Sequence, residues 1–152
     1  MSNSKSPRRN ERTLAFKVLY SLCFSPVNDS EQLGMTFLQC PDRPDQGDAD
    51  PFASFAWNIV KGVWSNQQDI DESISSLSQN WRIERMAKVE LTILRIATYE
   101  LLYCSDIPTK VAINEAIEMA KQFGDEKSRS FVNGILDAAG KAIESGKLEL
   151  KK

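Results

Sequence analysis

The sequence predicts an all-α protein, a single domain in which two small helical bundles pack together, with about six or seven helices in all. Three observations carry this. Apolar residues recur at three- and four-residue spacing along most of the 152 residues. No convincing stretch has the strict alternation of a half-buried strand. Proline, glycine, serine and aspartate fall between the periodic stretches, where helices start and stop.

A chain of 152 residues is long enough to bury a core. No segment reaches the roughly 18 apolar residues of a membrane span. The N-terminus lacks the apolar run of a secretory signal. Cys23, Cys40 and Cys104 are widely spaced and form no C-x-x-C pair. They read as reduced thiols in a cytoplasm. Histidine is absent altogether, which removes the commonest general base and the commonest metal ligand. The expectation is a protein with no catalytic set, no metal and no cofactor.

Residues 1–6 are polar and read as a flexible tail. Ser6 and Pro7 then cap and open a first helix. Leu14/Ala15, Val18/Leu19 and Leu22 form its apolar stripe. Residues 1–17 hold five basic side chains and one acid, Glu11, so a local charge of +4 sits on a chain whose total is −2. Arg8, Arg9 and Arg12 crowd the first turns. Cations there oppose the helix dipole by about 0.3–1 kcal/mol each, so stability alone would prefer acids. The cluster points to an anionic partner. The competing reading is a solvated basic tail.

Ser30 is expected to cap a short helix containing Leu33, Phe37 and Leu38. Residues 40–50 hold two prolines, a glycine and four aspartates and read as a loop. Their spacing is too loose for an oxygen-ligand metal loop. Asp50 and Pro51 then open a long helix. Phe52, Phe55/Ala56, Ile59/Val60, Val63, Ile70, Ile74 and Leu77 trace one stripe, which would run for ~40 Å. Trp57 and Trp64 lie on a neighbouring face and read as core or interface rather than as a base-stacking platform.

Ser78, Gln79 and Asn80 mark the internal boundary. They divide a sub-bundle of residues 7–78 from one of residues 79–146. After a short turn from Trp81 to Arg85, a helix from Glu84 to Cys104 is apolar on most faces from Ile93 onward. A surrounded central helix has that pattern. Glu84 and Lys88 would support it at i, i+4. Arg95 interrupts the apolar part and requires a structural ion-pair partner or a route to solvent for its charge.

Two amphipathic helices joined by a polar turn occupy residues 106–139. Pro108 sits at the entry. Ile113, Ala116/Ile117, Ala120 and Phe123 line the first helix. Gly124 is expected to close it in a left-handed conformation. Asp125 or Ser128 would cap the second, whose stripe is Val132, Ile135/Leu136, Ala139 and Ile143. Gly146 ends that helix, and residues 147–152 read as a second flexible tail. Asn133 and Gly134 are an anomaly. An Asn-Gly pair usually marks a hairpin, but the flanks have helical period. Glycine inside a helix is unfavourable by roughly 1 kcal/mol relative to alanine. The expected compensation is close approach of another helix.

The pattern P-x-K-V-A-I-N-E-A-I-E-x-A-K-x-F-G, a short gap, then S-x-x-F-V-N-G-I-L-D resembles the NusB transcription antitermination family. The resemblance continues through A-F-K-V-L-Y at Ala15 to Tyr20, through Ile70-Asp71 and Trp81, and through V-E-L-T-I-L-R-I-A-T-Y-E-L-L at Val89 to Leu102. It covers nearly the whole chain.

That resemblance implies a non-catalytic RNA-binding adaptor. Proteins of this family pair with NusE, a small-subunit ribosomal protein, and bind the single-stranded boxA element of nascent RNA. They help keep RNA polymerase processive on ribosomal RNA operons. Carried over by position, it implies RNA contacts at Arg8, Arg9 and Arg12 and at Arg129, Ser130 and Phe131. It implies partner contacts at Tyr20, Glu90 and Lys110. Glu11 stands where the family favours a small residue, and the acidic 40–50 loop looks particular to this chain. Both departures bear on RNA affinity, which the sequence leaves open, and not on the fold. The start of the helix at Arg129 would also offer backbone N–H groups to phosphate.

Two other readings stand beside this one. One is a purely protein-binding helical adaptor. The other is a relative of the NusB-like domain fused to ribosomal RNA cytosine methyltransferases, although no G-x-G-x-x-G or Rossmann-like strand is present. The sequence leaves the oligomeric state open, a homodimer included.

Overall fold

Asp71 of one helix clasps Arg95 of the next, and around this pair the larger of two helical units is built. The computed structural model describes residues 7–44, 47–78, 82–148 and 150. Among them are seven α-helices and no strand. These are α1 (Pro7–Leu22), α2 (Ser30–Leu38), α3 (Phe55–Ser65), α4 (Gln67–Leu77), α5 (Lys88–Tyr103), α6 (Thr109–Phe123) and α7 (Glu126–Glu144). The expected caps and turns at Ser6, Gln79, Asn80 and Trp81 lie outside the described residues.

The long helix expected over residues 51–77 is instead three pieces. Pro51–Ala53 is a single 3₁₀ turn, α3 follows, and α4 begins after Asn66. Val63 and Ile70 are seven residues apart, so the apolar stripe continues across the break and periodicity alone gives no sign of it. The polar run Ser65, Asn66, Gln67 and Gln68 is the local cause, because Ser and Asn side chains compete with the helix for backbone hydrogen bonds. The chain divides into compact units at this break, Met1–Ser65 and Asn66–Lys152. The boundary expected at residues 78–80 placed α4 with the first bundle. By its contacts α4 belongs with α5 and α7.

In the first unit α1 packs on α3, and α2 also meets α3. Leu14, Ala15, Val18 and Leu19 meet the expectation for the α1 stripe, and Leu33 and Phe37 do so for α2. Asp29, not Ser30, caps α2, accepting a hydrogen bond from the Gln32 N–H at 2.9 Å. Trp57 joins a ring cluster with Phe37 at 5.2 Å and Phe52 at 4.9 Å, the packing role expected of it.

In the second unit α5 touches α4, α6 and α7. Leu91, Ile93, Leu94, Ile96, Ala97, Leu101 and Leu102 are all buried, as a surrounded helix requires. Glu84 lies in a separate 3₁₀ turn, Ile83–Arg85, so the expected pairing with Lys88 along one helix does not arise. Arg95 has the required partner. Its Nε and one Nη donate to the two Asp71 carboxylate oxygens at 2.8 and 2.9 Å, tying α4 to α5.

Gly124 is not left-handed. Its φ of −112° and ψ of −178° are extended. Glycine is required there by space: an added Cβ would lie 2.7 Å from the Ser128 Cβ and 3.1 Å from the Ala120 carbonyl oxygen. A left-handed glycine does close α7: Gly146 has φ 79°, and the Lys147 N–H reaches back to the Ala142 carbonyl at 2.9 Å.

Asp125 caps α7, accepting the Ser128 N–H at 2.8 Å. That N–H holds the Asp125 carboxyl below its ordinary pKa. A depressed carboxylate stabilises the fold fully above its unfolded pKa of about 3.9, and the contribution is lost as pH falls through the lower folded value. Asp125→Asn keeps a capping oxygen and removes the titration. Acid unfolding of this variant, followed by thermal melts below about pH 4, is expected to depend less steeply on pH than that of the parent.

Candidate nucleic-acid interface

The first turns of α1 separate three arginines that the sequence presents as one cluster. Arg8 is exposed, Arg9 is half-buried, and Arg12 is only 3% exposed. The guanidinium carbons of Arg8 and Arg12 lie 4.4 and 5.1 Å from the centre of the Phe55 ring. Phe55 is therefore a cation platform rather than part of a purely apolar stripe, and each such contact stabilises by about 0.5–2 kcal/mol. Burial removes Arg12 from the solvent-facing set. Its charge is held inside the first unit, and Arg8 and Arg9 remain the residues placed to meet an anion. Nothing in the sequence distinguishes Phe55 from its apolar neighbours, so this platform appears only in the fold.

Glu11 has a structural task. Its Oε1 accepts the Ala56 N–H at 3.0 Å, in the first turn of α3. Ser54 Oγ accepts the Trp57 N–H beside it at 3.1 Å. Together they satisfy donors that a helix start leaves open, and a carboxylate there is favoured by the helix dipole. The acid among the arginines thus caps a helix far along the chain. Glu11→Ala is expected to lower the stability of the full-length protein by about 1 kcal/mol, with Glu11→Gln intermediate, measured by urea denaturation. Lys17 is likewise engaged, 3.1 Å from Asp42 of the acidic loop. Both groups are well exposed, so that pair adds little to stability.

In the second unit Arg129 and Ser130 lie exposed in the first turn of α7, and Phe131 is half-buried beside fully buried Val132. Phe131 therefore contributes partly to packing. The backbone N–H groups expected to meet phosphate here are not open: the Asp125 carboxylate takes that of Ser128, and the Asp125 carbonyl takes that of Arg129 at 3.0 Å. The Ser128 hydroxyl donates to Glu90 Oε2 at 2.9 Å. Glu90, where the resemblance implies a partner contact, is half-buried and helps position α7 against α5. Lys110 is exposed in the first turn of α6. Tyr20, in the first unit, is half-buried. It stacks on Phe16 at 5.6 Å and meets Phe24, 60% exposed, edge-on at 5.2 Å.

Gly134 overturns one expectation. Instead of admitting a neighbouring helix, it is exposed, and an added Cβ would have no atom within 4 Å. Gly140, one residue past the buried Ala139, is the glycine of α7 facing a neighbour, with Ile113 Cδ1 3.5 Å from where its Cβ would lie.

None of Cys23, Cys40 and Cys104 is in a disulfide. No group of three His, Cys, Asp or Glu among the described residues could hold a metal ion. No helix among the described residues is long and apolar enough to cross a membrane. Fold and surface define an all-α protein distinguished by charged helix starts. A family model described as the NusB family matches residues 9–141. The transcription antitermination protein NusB of Oleidesulfovibrio alaskensis is 54% identical over 148 residues, covering 97% of this chain and 96% of the relative. That of Geobacter sulfurreducens is 48% identical over 130 residues, covering 86% of this chain and 91% of its own. Among solved structures, T. maritima NusB aligns with a TM-score of 0.76 at 37% identity, over 95% of this chain and 99% of that one. A chain from a complex of antitermination factors NusB and NusE with double-stranded RNA aligns with a TM-score of 0.72 at 26% identity, over 89% of this chain and 96% of that one. The chain belongs to the NusB family.

Proposed function

We propose that this protein is a non-catalytic antitermination factor. It binds boxA-type single-stranded RNA together with NusE and acts on RNA polymerase elongating through ribosomal RNA operons. The observation that carries the reading is the cationic start of α1, where exposed Arg8 and half-buried Arg9 stand at a helix end whose dipole favours acids. A related chain sharing the fold was solved with NusE and RNA, which supports both partners. Arg129 and Ser130 add a cation and a hydroxyl on the second unit. Tyr20, Glu90 and Lys110 are the proposed contacts to NusE.

The related complex holds a duplex, whereas this reading specifies a single strand. Labelled boxA-like RNA is therefore titrated as single strand and as duplex, with and without NusE. Tighter, salt-dependent binding of the single strand, strengthened by NusE, is expected. Equal binding of any RNA, or none, would overturn the reading. The burial of Arg12 favours a second reading, an adaptor that binds protein alone, because it assigns part of the arginine cluster to packing. NusE binding without RNA binding would select it. Glu90→Gln is the suitable interface probe, since it removes the charge while leaving an oxygen to accept the Ser128 hydroxyl.

A further inference from the structure

Arg9, Thr13 and Lys17 form one row on α1, each four residues from the next and so neighbours along the helix surface. The short Thr13 side chain, whose hydroxyl donates to the Arg9 carbonyl at 3.2 Å, separates the two cations. Lys17 differs from Arg9 in what it faces. Its Nζ lies 3.1 Å from an Asp42 carboxylate oxygen, with the two side chains 38% and 59% exposed. A tight turn presents Asp42: the Arg43 N–H donates to the Cys40 carbonyl at 3.1 Å, and the Cys40 N–H ties the turn to the Phe37 carbonyl at 3.3 Å. Lys17 and Asp42 line two clefts at once. One, of about 360 Å³, reaches Leu14 and buried Phe37; the other, of about 380 Å³, reaches Val18 and Cys40. The ion pair is thus flanked by open space rather than by packed surface. An exposed pair of this kind adds no more than about 1 kcal/mol, so stability does not account for it.

We propose that Asp42 is an internal competitor for RNA: its carboxylate occupies Lys17, a further phosphate-binding residue of α1, and its release lengthens the cationic row by one contact. The inference rests on the RNA-binding reading above and adds a regulatory contact to it. A carboxylate and a phosphodiester offer an ammonium the same kind of anionic oxygen, so the two compete for one Nζ. The other charged residues lining the first cleft have their own contacts. Glu11 accepts the Ala56 N–H at 3.0 Å, and Arg43 Nε donates to the Leu38 carbonyl at 3.4 Å. Range decides which cation Asp42 controls. Arg9 and Lys17 are eight residues apart, ~12 Å along the helix. That exceeds the Debye length of about 8 Å at physiological salt. Asp42 therefore acts through Lys17 and not through its field on Arg8 and Arg9. The row favours RNA over a protein partner. It offers cations and a hydroxyl, which position a phosphate backbone, and no aromatic or aliphatic anchor of a protein hot spot.

The test uses the full-length protein, NusE and labelled boxA-like single strands over a range of salt. Asp42→Asn should leave the melting temperature near the parent value, because the pair is exposed. It should tighten RNA binding at low salt by about two- to fivefold, the span of an exposed ion pair, and steepen the salt slope by about 0.7. Asp42→Glu keeps the carboxylate and should bind as the parent does. Lys17→Ala should abolish the gain from Asp42→Asn, and should cost more affinity in that background than in the parent. If Asp42→Asn tightens binding equally with and without Lys17, the loop acts by its general charge and the competition is wrong. If Asp42→Asn leaves RNA binding unchanged while Arg8→Ala with Arg9→Ala weakens it, the inference fails and the RNA reading survives. If none of these variants alters RNA binding, the RNA reading itself falls. If Asp42→Asn changes capture of NusE and not of RNA, the turn belongs to a protein interface and the inference is overturned.

Discussion

Arg95→Ala will lower the stability of the fold by about 2–3 kcal/mol, and Asp71→Ala by a similar amount. The pair is bidentate, at 2.8 and 2.9 Å, with Arg95 15% and Asp71 24% exposed at their side chains. Removing either partner strands a largely desolvated charge between α4 and α5. The figure is kept below that for a fully buried pair because water still reaches both groups. The double variant should lose less than the two single losses combined, since neither charge is then left alone. A double-mutant cycle from urea unfolding is expected to give a coupling of about 1–2 kcal/mol. Additive losses would show that the pair is only an accident of proximity. Because α4 joins the second unit largely through Ile70, Ile74 and this pair, fraying should concentrate in α4 and be visible by amide exchange.

The arginines of α1 will separate into two functional groups. Arg8→Ala together with Arg9→Ala should leave the fold nearly as stable as before, because Arg8 is exposed and Arg9 only half-buried. RNA affinity should fall, and the salt slope should drop by about 1.4 if each arginine meets one phosphate of a single strand. Arg12→Ala should do the reverse. Its side chain is buried against Phe55, so stability should fall by about 1–3 kcal/mol from lost packing and cation–π contact, while the salt slope stays near the parent value. Removing all three arginines at once would confound the effects, since part of any lost binding would come from a weakened first unit. Unchanged slope in the Arg8, Arg9 variant would make these residues a solvated tail. A lowered slope in Arg12→Ala would return that residue to the RNA site.

The helical class, the stripes of α1, α5 and α7, the α6–α7 turn and the need for a partner at Arg95 were legible in the sequence, because each depends on residues close in the chain. Spacing of three and four sets one face of a helix toward a core whichever neighbour supplies that core. A charge amid Ile93, Leu94 and Ile96 must be paired wherever its partner comes from. The family resemblance likewise rested on contiguous residues from Pro108 to Asp137. The break at Asn66 was hidden because a seven-residue interval preserves the stripe across two helices. The roles of Arg12, Glu11, Glu90 and Gly134 were decided only by tertiary structure. Arg12 is buried because Phe55 lies beneath it, 43 positions away by numbering. Glu11 caps a helix through Ala56, and Glu90 is occupied by Ser128. Gly134 is open because no described atom lies within 4 Å of where its Cβ would be. Burial, capping and exposure depend on which distant elements come together, and helical periodicity carries no information about that.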